Sequence, residues 1–276
     1  MKPSENTTVD RSPARLDLAL LALSFVLLVV RPAEAQERDT AAVHARGSQP
    51  SQPWAYVEDP SIAYVGVIAR SQVTLSDASR GLTRPFAADV AREGAVFSIG
   101  AEAPLFQNVS LQAIGWNDGP TLDKATSSAV MLAARFAMLS GGSTRATLTG
   151  GALRNLGGES GGWARLSLAQ DLGRARLATT VHAEHLAASG HDGVDIMVMA
   201  GASVRVAGVL RSGIEYVAQD LEGAFDTDAE GGVRHFLGPT LALDLAQGLS
   251  AIAGPALGLS RGSPRTVGRV ALSFAF

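Results

Sequence analysis

The chain has 276 residues, 46% of them hydrophobic and 18% charged, with a formal net charge of -3. This is enough apolar material for one large core or two small ones, and it excludes a disordered chain or a basic nucleic-acid-binding one. There is no cysteine, so disulfides, thiolate metal sites and a lipidated N-terminal cysteine are excluded as well.

At the N-terminus Lys2, Arg11 and Arg15 precede the apolar run LALLALSFVLLVV, Leu18 to Val30. This run falls short of the ~20 residues a helix needs to span a bilayer. Ala33 and Ala35 supply small residues at the two positions a signal peptidase reads. Residues 1–35 are therefore expected to be a cleaved secretory signal, with a short anchored helix as the alternative. The stretch QERDTAAVHARGSQPSQ that follows is polar and aperiodic, and residues 36–60 are expected to be a flexible lead-in.

From there the apolar period is two rather than 3.6 almost throughout, which predicts strands. SIAYVGVIAR (Ser61 to Arg70) is the first. GAVFSIGAEAP follows, with Ala95, Phe97, Ile99 and Ala101 on one face and Val96, Ser98 and Glu102 on the other. NVSLQAIGWN, STRATLTGGALR, GWARLSLAQDL, RARLATTVHAEH, GVDIMVMAGASVRVAG, VLRSGIEYVAQD, GVRHFLGPTLALDL, GLSAIAGPALGLS and RTVGRVALSFAF alternate in the same way. The Ala-rich TSSAVMLAARFAMLS has helical propensity, but its place among strands assigns it as one more, giving about twelve with ten as the alternative.

Long and short gaps alternate between these strands. Residues 71 to 93, DGPTLDKA, NLGGESG, ASGHDG, LEGAFDTDAEG and RGSPR are long. The turns near Phe106, at LSGG, at Leu172-Gly173, at Ala207-Gly208 and at Gln247-Gly248 are short. Consecutive hairpins sorted in this way predict an all-β, up-and-down antiparallel barrel with one end in each compartment, whereas Greek-key crossings give no reason for sorting. A sheet crossing hydrocarbon cannot leave an edge open, so its last strand must be whole in order to close on the first.

The terminal GRVALSFAF, with Val270, Leu272, Phe274 and Phe276 at alternate positions, resembles the C-terminal assembly signal of Gram-negative outer-membrane β-barrel proteins, the porin- and channel-like class. The resemblance covers roughly Ser61 to Phe276. It implies a transmembrane barrel over residues 61–276, a periplasmic lead-in over 36–60, long loops outside the cell, and outer-membrane lipids and the barrel assembly machinery as partners.

With Phe276, Phe274 and Leu272 facing outward, the same phase directs Glu102, Arg135, Arg145, Arg165, Arg176, Glu184, Asp195, Arg205, Arg211, Glu215, Arg234, Asp244 and Arg269 into the lumen, among what reads as mostly Ser, Thr, Gly and Ala. Eight arginines then face five carboxylates. Arg145, Arg176, Arg205 and Arg211 lie beside short turns and form a basic collar at the periplasmic mouth, which favours anions. The alternative is that these charges strut the interior as ion pairs and nothing passes.

Chemistry is not expected. GGESGG matches the G-x-S-x-G nucleophile elbow, which needs a helix after it, yet an alternating strand follows. HAEH puts His182 and Glu184 on one strand face and His185 on the other, so three ligands cannot converge on a metal. DTDAEGG begins like a calcium loop but has Leu237 where the twelfth position requires Glu. Neither lysine follows a glycine, so there is no P-loop. The expected function is passive passage of small polar or anionic solutes through an arginine-lined lumen, with no cofactor, no metal and no nucleic acid. A structural or surface-binding barrel acting through residues 71–93 and 222–231 is the alternative; a barrel enzyme and a soluble periplasmic β protein rank behind it. Whether residues 71–93 fold inward as a plug is left open by the sequence.

Overall fold

The structure is a computed structural model that describes residues 56–60, 66–76, 94–119, 127–140, 142–156, 160–187, 194–221, 233–246, 248–260 and 263–275. Residues 1–55, including Ala33 and Ala35, and Phe276 lie outside the described residues. So do residues 77–93 and 222–232, on which most of the two expected surface loops fall.

Twelve strands follow one another: β1 (Ile68–Ser76), β2 (Gly94–Phe106), β3 (Val109–Gly119), β4 (Ser127–Leu139), β5 (Thr144–Asn155), β6 (Ser160–Leu172), β7 (Ala175–Ala187), β8 (Asp195–Arg205), β9 (Leu210–Gln219), β10 (Arg234–Ala246), β11 (Leu249–Gly258) and β12 (Thr266–Ala275). Each pairs antiparallel with its neighbours, and β1 pairs with β12, so the sheet is a closed up-and-down barrel. The Ala-rich run lies in β4. Here tertiary pairing overrides helix propensity, because alternate residues such as Met131 and Ala133 are buried on one face while Leu132 is 61% exposed on the other.

The first strand lies further along the chain than its sequence pattern suggests. It is Ile68–Ser76, so residues 71–76 belong to the wall and not to a loop. Pairing fixes this register: Arg70 and Thr74 are brought onto the inner face, where Arg70 Nη1 lies 3.6 Å from Glu102 and Thr74 Oγ1 accepts from Arg269 Nε at 3.1 Å. At the closing seam Phe274 pairs with Ala69 and Leu272 with Ser71.

Connections β2–β3, β4–β5, β6–β7, β8–β9 and β10–β11 span two to four residues and leave from one end; of those at the other end β5–β6 is as short, at four residues, and the rest are longer. In the two-residue connections Gly173 and Gly248 have φ of 65° and 81°, a left-handed conformation that glycine adopts without a Cβ penalty. The outer wall is apolar, with Ile99, Leu111, Leu132, Ile214, Leu241, Val270, Leu272 and Phe274 all exposed. Such a surface facing water would carry a large transfer cost, and facing hydrocarbon it carries none.

The β10–β11 ladder is interrupted. Register runs from Leu237↔Leu257 to Leu241↔Ala253 without recorded pairs between them, where Pro239 and Pro255 face one another. Neither proline has an N–H to donate to the ladder.

Candidate functional site: the barrel interior

Within each strand the inward residues fall in the phase read from the terminal strand. In β12 Val270, Leu272 and Phe274 are exposed while Val267, Arg269 and Ser273 are buried. Glu102, Arg135, Glu184, Glu215, Arg234 and Arg269 are buried inside; Arg145, Arg165, Arg176, Asp195 and Arg211 are partly so. Arg205 and Asp244 keep the inward phase but lie exposed at strand ends.

One expectation about the interior is filled in and a second is corrected. Most uncharged inward positions are Ser, Thr, Gly or Ala, as expected, yet large apolar side chains stand among them. Trp116, Met131, Leu153 and Trp163 form a buried apolar cluster on the β3–β6 side, and Met197, Met199, Val217, Phe236, Ile252 and Val267 form another on the β8–β12 side. These residues take inward positions because the alternation that turns their strand neighbours outward turns them to the bore. The correction concerns the lead-in, whose end does not hang free: Tyr56–Pro60 lies inside the barrel.

That segment, YVEDP, is held by seven strands. The backbone N–H groups of Tyr56 and Val57 both donate to Glu215 Oε2 at 2.7 Å. The Tyr56 phenol donates to the Gly254 carbonyl at 2.5 Å, in the stretch of β11 where the ladder to β10 is broken, and its ring lies 4.8 Å beneath the Arg269 guanidinium. Glu58 N–H donates to Thr180 Oγ1 at 3.2 Å. The Glu58 carboxylate meets Arg165 and, at 3.1 Å, Arg135. Asp59 meets Arg176 Nη1 at 2.8 Å and Arg145 at 4.0 Å. The Asp59 carbonyl accepts from Arg135 Nη2 at 2.9 Å, and that of Pro60 accepts from Thr147.

The wall completes these contacts. Arg135, fully buried, donates through Nη1 to Glu102 Oε2 at 2.8 Å, and Glu102 also accepts from Ser110 and Gln112. Asp171 accepts from Arg145 at 2.8 Å and from Arg176 at 2.6 Å. Arg165 Nε donates to His182 Nδ1 at 3.4 Å, which leaves His182 Nε2 to face Glu184 at 3.1 Å. Arg234 pairs with Asp220 at 2.9 Å on the long-loop side. Arg205 and Arg211, paired across β8 and β9, have no carboxylate at ion-pair distance among the described residues.

Sequence reasoning missed Arg70, Asp171, Asp220, Tyr56, Glu58 and Asp59. Arg70 ends the strand expected over Ser61 to Arg70, whereas in the structure it lies early in β1 and faces inward. The last three lie in PWAYVEDP, whose aromatics and adjacent acids set it apart from the polar stretch before it, and that contrast was the available signal.

The other motifs are placed as well. Ser160 opens the strand β6, so no helix follows GGESGG. His182 and Glu184 are buried inside while His185 is exposed. Among the described residues no three His, Asp or Glu side chains are grouped to hold a metal ion.

No protein-family model matches the chain, and no curated protein is similar to it in sequence. Solved structures do match in fold. The KdgM porin, in complex with disordered oligogalacturonate, superposes with a TM-score of 0.54 at 8% identity, covering 77% of this chain and 99% of that one. The NanC porin gives 0.50 at 8%, covering 76% and 100%. An outer-membrane channel from Pseudomonas putida F1 gives 0.56 at 11%, covering 81% and 99%. At these identities the likeness is one of fold alone.

Proposed function

We propose that the protein is an integral outer-membrane barrel that passes small polar or anionic solutes passively, and that the structure holds it closed. The observation that carries this reading is the arginine-rich inner wall around Tyr56–Pro60, where Arg135, Arg145, Arg165 and Arg176 converge on the carboxylates of Glu58 and Asp59. A bore lined with fixed cations in a low-dielectric wall concentrates anions. The closed sheet, the apolar outer wall and the loops sorted to two ends support placement in the outer membrane after export, as does a fold shared with proteins named as porins and an outer-membrane channel. Lipids of that membrane and its assembly machinery are then the partners, and the bore performs no reaction.

A second reading is favoured by the packing of the interior, where Trp116, Trp163, Phe236 and the YVEDP segment occupy the bore. On that reading the barrel does not conduct, and it serves as a structural or surface-binding protein through its longer loops. Single-channel recording in a planar bilayer separates the two. Refolded chain from Gln36 to Phe276, shown to be folded by heat-modifiable gel migration, should give discrete current steps with anion preference. Persistent silence from folded barrel, with the acids of the segment intact or neutralised, selects the second reading.

A further inference from the structure

Tyr56–Pro60 is bound by the barrel as a peptide, and not merely as a pair of negative charges. Three of its main-chain N–H groups are bound: those of Tyr56 and Val57 go to Glu215 Oε2, a carboxylate oxygen that only a donor satisfies, and that of Glu58 goes to the Thr180 hydroxyl. Its carbonyls at Asp59 and Pro60 accept from Arg135 and Thr147. Side chains are read separately. The ring of Tyr56 packs under Arg269 with its hydroxyl on Gly254, Glu58 takes Arg135 and Arg165, and Asp59 takes Arg176 and Arg145. Glu215 is a negative group facing the segment. Its Oε1 accepts from Thr240 of the wall, while its Oε2 would repel a simple anion and is instead met by the N–H groups of the segment.

We propose that the bore is a binding site for short, extended acidic peptides, with an aromatic residue two and three positions ahead of two consecutive carboxylates, and that Tyr56–Pro60 is its tethered occupant. This rests on the channel reading only for its consequence, which is that such a peptide arriving from outside the chain exchanges with the segment and sets whether the bore is open. A tether of a few residues presents its end at an effective concentration of order millimolar, so a free peptide of equal intrinsic affinity competes poorly until it approaches that level.

The test uses the full-length barrel with its own segment replaced in place by Tyr56→Gly, Val57→Ser, Glu58→Gly, Asp59→Ser and Pro60→Gly, in detergent, with fluorescently labelled acetyl-Tyr-Val-Glu-Asp-Pro-amide as the probe. Fluorescence anisotropy should show binding at least about tenfold tighter than to the wild-type barrel, whose tethered segment competes. The probe with Gln and Asn in place of the acids should bind at least about tenfold more weakly, since it gives up the charge-assisted hydrogen bonds to the wall arginines. If the emptied barrel does not fold, the milder pair Glu58→Gln with Asp59→Asn takes its place. Equal binding of the acidic and neutral probes, displacement by succinate as effective as by the peptide at equal carboxylate concentration, or no binding to folded barrel at millimolar probe each overturns the proposal. Anisotropy does not depend on current, so a barrel that binds the probe yet never conducts sinks the channel reading and leaves this one standing.

Discussion

Arg135 Nη2 lies 3.1 Å from Glu58 Oε1, so the most deeply buried cation of the wall is neutralised in part by a residue that belongs to no strand. The same guanidinium reaches Glu102 at 2.8 Å and the Asp59 carbonyl at 2.9 Å. It therefore joins the barrel wall to the segment within the bore.

Arg135→Met should destabilise the barrel by about 3–5 kcal/mol, because it takes from buried Glu58 one of its two arginines and from buried Glu102 the nearer of its two. Urea unfolding in lipid vesicles measures the loss. Arg135→Lys should recover only part of it, since an ammonium group cannot span the carboxylates and the carbonyl as a planar fork does.

The double substitution Glu58→Gln with Asp59→Asn should raise the open fraction of the channel in planar bilayers. It keeps the shape of the segment while removing its charge-assisted contacts, each worth ~1.5–3 kcal/mol. Open probability unchanged from wild type would mean that Tyr56 and the main-chain bonds to Glu215 hold the segment by themselves.

Arg176→Ala, Arg205→Ala and Arg211→Ala together should move the zero-current potential under a salt gradient toward cation preference. These three lie at the short-turn mouth, and Arg205 and Arg211 are without a carboxylate partner among the described residues. A reversal potential equal to that of wild type would remove the collar from any role in selectivity.

Leu132→Arg tests the outer wall. Leu132 lies midway along β4 and is 61% exposed. A lipid-facing arginine at the bilayer midplane costs about 2–4 kcal/mol. Refolding into vesicles should show that loss, and a much smaller one in short-chain detergent.

Gly238→Ala should impair folding through the β10–β11 seam. A Cβ at this position would run into the backbone of Pro255 and Ala256, and the ladder there has no pairs to spare. Overpacking of this kind costs about 1–3 kcal/mol. The fraction reaching the heat-modifiable form should fall, while Gly268→Ala, with open space around it, should fold normally.

Several elements of the fold are legible residue by residue. Phe97 and Ile99 against Ser98 and Glu102, or Val270 and Leu272 against Arg269 and Ser273, alternate because side chains on a strand point to opposite faces. The outward phase of the last strand then carries through the whole sheet by pairing. β1 was less legible. SIAYVGVIAR alternates as well as SQVTLS does, and only the partners Glu102 and Arg269 select the register in which Arg70 and Thr74 face inward. A slip of one residue would have turned both toward the outer wall. The two apolar clusters of the inner face are less legible for a related reason: Trp116 and Trp163 alternate in phase with small and polar residues, and periodicity reports which way a side chain points without reporting what fills the space it points into.

By itself the sequence determined the strand period, the sorting of loops to two ends, the apolar outer wall and the inward set of arginines. All of these depend on residues close together in the chain, where the alternation of a strand leaves a local trace. Only the tertiary structure decided what those arginines hold. Glu58 and Arg165 are 107 positions apart, and Tyr56 and Gly254 are 198 apart. Contacts of that kind arise when closure of the sheet brings distant strands around one point. Their energy comes from burying charge and main-chain hydrogen bonds together in a low-dielectric bore, and that enclosure exists only once the barrel has closed.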